Sequence, residues 1–202
     1  MPLPRREPAP PVIPAHELAQ LVARAGEGDV VAFERLIAEH QAKVYAFAFA
    51  FVGDPEQAKD LAQEALVKVY RSIGAFRFQS AFSTWLYAIV KNTYLDLVKS
   101  RAAKERALEA PLSSEEVAEL RDTLDAEKLL LKAEERALLE RALRRVPVDF
   151  RLVVHLSDLQ GLGYDQIAQV LSLPLGTVKS RLKRGRDALR VQLLRDLEEE
   201  NR

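Results

Sequence analysis

Apolar residues recur along this chain at three- and four-residue intervals, and no stretch alternates for long enough to read as a strand. Phe33, Leu36, Ile37, Val44, Phe47, Phe51, Leu61, Leu66, Val69, Trp85, Leu86, Ile89 and Val90 mark the inner faces of helices in a first block, residues 15–107. Breaks are expected near Gly26 to Asp29, Gly53 to Pro55 and Gly74 to Ser83, where glycine and proline interrupt the period. That many large apolar side chains supply one small core. Over residues 108–135 the pattern lapses: Pro111 and the pair Ser113 and Ser114 stand among few large apolar residues, which predicts a linker with some helix near its end. A second block, residues 136–197, reads as four helices. Leu138 to Val146 stops at Pro147, Phe150 to Gln160 stops at the Gly161-Leu162-Gly163 run, Tyr164 to Leu171 is short, and a last helix follows the turn "SLPLG". The fold class expected is all-α, with two small helical domains joined by a linker. Before them, residues 1–14 hold six prolines and read as a disordered tail; after them, residues 198–202 read as a fraying acidic tail.

Composition narrows the setting. With 202 residues and 48% hydrophobic content, the chain is long enough for one sizeable core or two small ones. The absence of cysteine excludes a disulfide framework and thiolate metal sites, and suits a reducing compartment. No signal-peptide h-region opens the chain, and the longest apolar run, Val44 to Val52, is less than half of the roughly 20 residues a spanning helix needs. A soluble, cytoplasmic protein without membrane contact of its own is expected. Charge changes the picture more. The formal net charge is +0, yet Gly176 to Arg195 carries seven cations against Asp187 alone. Residues 107–135 answer with nine acidic against three basic side chains. For that acidic stretch a solvated helix face and a specific role are both open.

The cationic segment belongs to "YDQIAQVLSLPLGTVKSRLKR", which reads as a helix-turn-helix. Ile167 and Leu171 share one face of the first helix, Val178 and Leu182 one face of the second, and Ala168 permits a close crossing. Thr177 is positioned to cap the second helix. With Val178 and Leu182 inward, Lys179, Ser180, Lys183, Arg184 and Arg186 are left outward, where they reach base edges and phosphates if the helix enters a major groove. In the first block, "SAFSTWLYAIVKNTYLDLVKSRAAKER" sets Phe82, Trp85, Tyr87 and Tyr94 beside Lys91, Asn92, Asp96, Lys99 and Arg101. Rings beside cations suit single-stranded DNA, and the loop "RFQSAFS" is placed to hold one extruded base. Trp85 has two readings, stacking platform or core, and burial tendency favours core.

Taken together, "DLAQEALVKVY" at Asp60 to Tyr70, "FSTWLYAIVKN" at Phe82 to Asn92 and "GYDQIAQVLSLPLGTVKSRLKRGRDALR" at Gly163 to Arg190 closely resemble the extracytoplasmic-function (group IV) sigma factors of bacterial RNA polymerase. The motifs stand in family order, and the resemblance covers about residues 25–197. It implies that 15–107 is a sigma-2-like bundle and 136–197 a sigma-4-like helix-turn-helix domain. Asp60, Gln63 and Glu64 would dock on the clamp helices of the largest catalytic subunit of core polymerase. Phe82, Ser83, Thr84, Trp85, Tyr87, Lys91, Asn92, Lys99 and Arg101 would melt and hold the minus-ten element. Thr177, Lys179, Ser180, Lys183 and Arg184 would serve the minus-thirty-five duplex, with Arg181 and Arg186 on phosphate or at the rim. An anti-sigma factor is implied as a further partner. Two departures stand out: Gln166 where the family usually has Glu, and Gly185 where it usually has Ala, which is expected to loosen the helix by about 1 kcal/mol.

No enzyme is expected, and no cofactor or metal. His16, His40 and His155 lack metal-ligand spacing, and no phosphate-binding glycine loop, H-E-x-x-H or G-x-S-x-G occurs. The alternative is a stand-alone helix-turn-helix transcriptional regulator, which accounts for the second block but leaves "DLAQEALVKVY" and "FSTWLYAIVKN" without a purpose.

Overall fold

In a computed structural model, residues 13–107 and 138–200 are described; the proline-rich tail to residue 12, the linker through 137 and the last two residues lie outside them. The first block is five helices: α1 (Ala15–Gly26), α2 (Val30–Ala38), α3 (Gln41–Val52), α4 (Pro55–Ser72) and α5 (Phe82–Ala107), with one 3₁₀ turn, Ile73–Ala75, after α4. Their starts follow local chemistry. The Asp29 carboxylate accepts the Ala32 N–H at 3.0 Å and Asp54 accepts the Gln57 N–H at 2.9 Å, so each caps the helix it precedes, and Pro55 fills a first-turn position that needs no donor. Between α3 and α4 the chain turns at Gly53, whose φ of 72° is a left-handed C-cap that a side chain would strain. Leu36, Val44, Phe47, Leu61, Val69, Leu86 and Val90 are fully buried, so the apolar period does place the core.

The second block holds α6 (residues 138–145), α7 (Val148–Val154), α8 (Tyr164–Leu171) and α9 (Leu175–Glu200). Three boundaries depart from expectation. The second helix begins at Val148, directly after Pro147, and from His155 to Leu159 it widens into a π turn closed by the Gln160 N–H on the His155 carbonyl at 3.0 Å. The last helix begins at Leu175, with the Thr177 and Val178 N–H groups both on the Pro174 carbonyl, so Thr177 lies inside the first turn and does not cap it. At the other end α9 runs to Glu200, where fraying was expected, because Asp196 is buried and ion-paired with Arg145 of α6. Ile167, Val170, Val178 and Leu182 are the buried seam of the helix-turn-helix, with Leu171 only partly buried.

The two blocks meet. The Tyr87 hydroxyl of α5 donates to Gln160 Oε1 at 2.8 Å, Lys91 Nζ donates to Ser172 Oγ at 2.9 Å, and Arg151 donates to the Phe51 carbonyl at 3.3 Å. The rings of Phe47 and His155 lie 5.7 Å apart. Buried residues from both blocks form one continuous apolar cluster.

Candidate nucleic-acid interface

Packing of Val178 and Leu182 against Ile167 and Val170 fixes which side of α9 faces outward. Lys179, Ser180, Lys183 and Arg184 are all exposed there. Gln166 performs the capping that a Glu would: its Oε1 accepts the Gly163 N–H at 2.8 Å at the start of α8. Two further cations are committed inside the domain. Arg186 grips Asp158 with two bonds, 2.6 and 2.9 Å, and Arg181 pairs with Asp149 at 3.0 Å. The hydrogen bond from Arg186 holds the Asp158 carboxyl below its usual range, so this pair stays ionised. Neither partner aspartate was visible from the sequence as an anchor, because each stands on another helix.

On α5 the assigned residues divide by depth. Phe82, Thr84 and Tyr87 are 4%, 1% and 1% exposed, and the Thr84 hydroxyl has no partner among the described residues. Trp85 is partly buried against the core, with its ring 5.1 Å from Phe76 and 5.8 Å from Phe82. Ser83 is partly exposed, Asn92, Lys99 and Arg101 are exposed, and Arg101 donates to Gln57 Oε1 at 3.1 Å. Lys91 is half-buried, and desolvation lowers its pKa.

One residue of this face escaped sequence reasoning. Phe78 is 50% exposed, adopts a left-handed φ of 55° and stands 4.8 Å from the Phe76 ring. A bulky residue in that conformation is strained, and it presents an aromatic face at the mouth of the loop before α5. The loop itself was legible; the backbone conformation that turns Phe78 outward carries no sequence signal.

A third surface lies on α4. Asp60 and Gln63 are exposed and Glu64 is half-exposed, at the spacing of one helix face. Lys68 lies behind them, 3.5 Å from Glu64 and 3.0 Å from Asp96 of α5. Desolvation opposes its charge, but the two carboxylates outweigh it and raise its pKa. Among the described residues no group of three His, Asp or Glu side chains is arranged to hold a metal, and no helix is long and apolar enough to cross a membrane.

Comparison with known proteins shows the family of both blocks. Residues 36–104 match the sigma-70 region 2 family and residues 136–189 match sigma-70 region 4. The chain is 37% identical over 174 residues to the RNA polymerase sigma-H factor of Pseudomonas aeruginosa, covering 84% of this chain and 90% of that one. It is 34% identical over 173 residues to the ECF RNA polymerase sigma-E factor of Escherichia coli K12, with the same coverage. Among solved structures, the sigma factor RpoE from Bartonella quintana, in complex with the anti-sigma factor NepR, has a similar fold. Its TM-score is 0.63 at 23% identity, over 80% of this chain and 96% of that one.

Proposed function

The chain belongs to the extracytoplasmic-function group of the sigma-70 family and is an alternative sigma factor of RNA polymerase; from that premise we propose which residues do its work. Asp60, Gln63 and Glu64 on α4 dock on the clamp helices of the largest subunit of core polymerase, where their acidity suits a basic partner helix. The exposed edge of α5, with Ser83, Trp85, Asn92, Lys99 and Arg101, takes the melted non-template strand of the minus-ten element, and Phe78 offers a stacking face for an unpaired base. Phe82 and Thr84 support this surface from beneath, and Tyr87 and Lys91 join it when the second block moves away. Lys179, Ser180, Lys183 and Arg184 enter the major groove of the minus-thirty-five duplex, and Arg181 and Arg186 position the helix.

The observation that carries the reading is the cationic, outward side of α9 in the same chain as an aromatic cluster on α5. Two weak contacts in one chain add up to a specific one. The protein performs no reaction of its own, acts in the cytoplasm, needs no cofactor, and is held in check by an anti-sigma partner, as the Bartonella neighbour is paired with NepR. Run-off transcription with purified core polymerase on templates from the gene's own upstream region tests this. Specific initiation that falls in Asp60→Ala/Glu64→Ala and in Lys183→Ala/Arg184→Ala supports both faces. Duplex binding without co-migration with core or any transcript would leave a stand-alone regulator in its place.

A further inference from the structure

His155 occupies the seam between the two blocks. It is 4% exposed, its ring packs on Phe47 of α3, and its Nε2 lies 3.0 Å from Gln160 Nε2. Gln160 accepts from Tyr87 of α5 in turn, so a histidine, an amide and a phenol form one polar chain across the boundary, beside the Lys91–Ser172 and Arg151–Phe51 contacts. With the Gln160 amide donating to it, Nε2 of the ring is the acceptor and the imidazole is neutral. A groove of about 600 Å³ runs beside it, lined by Tyr45, Phe49, Leu139, Leu143 and Arg144 among others, and gives water a route to the seam.

We propose that His155 is an acid-sensitive latch: protonation of its ring favours release of the second block from the first and uncovers Tyr87 and Lys91 on the DNA-facing helix. The latch itself rests on the seam alone; its consequence for DNA rests on the minus-ten assignment above. The charged surroundings give the imidazolium no net counter-charge. Glu140 and Arg144 of α6 and Tyr45 of α3 line the same groove, and Arg151 lies one turn back on its own helix. Tyr87 of α5 is kept neutral by burial, which raises its pKa. Asp158 on the same π turn is committed to Arg186, and Tyr164 and Asp165 of α8 are exposed at that helix's start. Desolvation pushes the ring's pKa down to about 4 in the closed form. Once hydrated it returns to its ordinary value of about 6.5. The open form therefore binds a proton that the closed form refuses. Closure is at full strength above about pH 6.5, weakens as pH falls below that, and stops weakening near pH 4, below which both forms are protonated.

Those two values make the open-to-closed ratio rise about tenfold between pH 7.5 and 5.5. The chain has no cysteine, so a single Ala50→Cys, facing the groove, reports opening in the full-length protein through its rate of reaction with dithiodipyridine. The rate is divided at each pH by that of the unfolded chain. Protection is expected to fall about tenfold from pH 7.5 to 5.5 in the otherwise native protein and to stay level when His155→Gln is added. Equal protection at both pH values, or the same fall in both proteins, overturns the latch. Should His155→Gln not fold by circular dichroism, Gln160→Leu decides: it must react faster than the native seam at pH 7.5, and an unchanged rate overturns the proposal. The second readout is anisotropy of a fluorescein-labelled single strand carrying the non-template minus-ten sequence. Apparent affinity should rise with opening, because Tyr87 and Lys91 are free to meet the strand only in the open fraction. Opening without a gain in strand binding leaves the latch standing and overturns the part given to Tyr87 and Lys91.

Discussion

At position 185 the missing side chain decides how closely α9 approaches α7. A Cβ there would meet Val154 Cγ2 at 2.6 Å and the Phe150 carbonyl oxygen at 3.0 Å, and the backbone oxygen has nowhere to go. Propensity alone expects Gly185→Ala to stabilise the helix by about 1 kcal/mol. The crossing reverses the sign: the substitution should destabilise the protein by about 1–3 kcal/mol through overpacking, seen as a lower urea midpoint at unchanged m-value. The propensity cost of Gly185 is read from the residue alone, whereas the crossing by Phe150 and Val154 is not, because both stand on another helix far back along the chain. A similar separation holds between two cations that look alike in the sequence. Lys183 is exposed, whereas Arg186 is locked on Asp158. Lys183→Ala should weaken minus-thirty-five duplex binding several-fold with no change in melting temperature. Arg186→Ala should instead lower the melting temperature by a few degrees, leaving the Asp158 carboxylate without its partner, and titrations of each variant by calorimetry and anisotropy would separate the two roles.

At the scale of elements, the link between α6 and α9 illustrates how a late, acidic stretch becomes part of the fold. Asp196 is 3% exposed and one of its carboxylate oxygens has no partner among the described residues, while the Arg145 side chain that holds it is about half exposed. The pair is therefore asymmetric. Arg145→Ala leaves a buried carboxylate unpaired and should cost more, on the order of 1–3 kcal/mol, than Asp196→Asn, which removes the buried charge and leaves an arginine that reaches water. Hydrogen exchange over residues 190–200 should accelerate in Arg145→Ala; equal protection in both variants would mean that this contact does not hold the end of α9. What could be read in advance at this scale follows one rule. Features set by neighbours three or four residues apart were legible: the helix breaks at Gly26 to Asp29 and Gly53 to Pro55, the short helix Tyr164–Leu171, and the outward set Lys179, Ser180, Lys183 and Arg184. Features set by a partner far along the chain were not. The π turn at His155, the burial of Phe82, Thr84 and Tyr87, and the continuation of α9 to Glu200 each depend on what another element presents.

For the whole molecule, a formal net charge of +0 conceals a division of labour that salt dependence can expose. The cations of α9 face outward beside a seam in which Lys91 is already donating to Ser172, so in the closed form one DNA face is presented and the other is partly covered. Duplex binding by the free chain should then come from α9 alone. Each phosphate contact releases condensed counterions, and the slope of log affinity against log salt becomes shallower by about 0.9 for every contact removed. Lys183→Ala/Arg184→Ala should flatten that slope by about 2 for duplex DNA, while Lys99→Ala/Arg101→Ala, on the far part of α5, should leave it unchanged. In the polymerase complex with a pre-melted minus-ten template the second pair should matter as well, flattening the slope by about 1.4, since a single strand releases fewer counterions, about 0.7 per contact. Slopes measured by anisotropy between 50 and 300 mM salt, for the free chain and for the complex, read out whether the two faces act in sequence. A free chain whose duplex slope responded to Lys99 and Arg101 as strongly as to Lys183 and Arg184 would mean that both faces reach one duplex at once, and the order in which they engage would need another cause than closure of the seam.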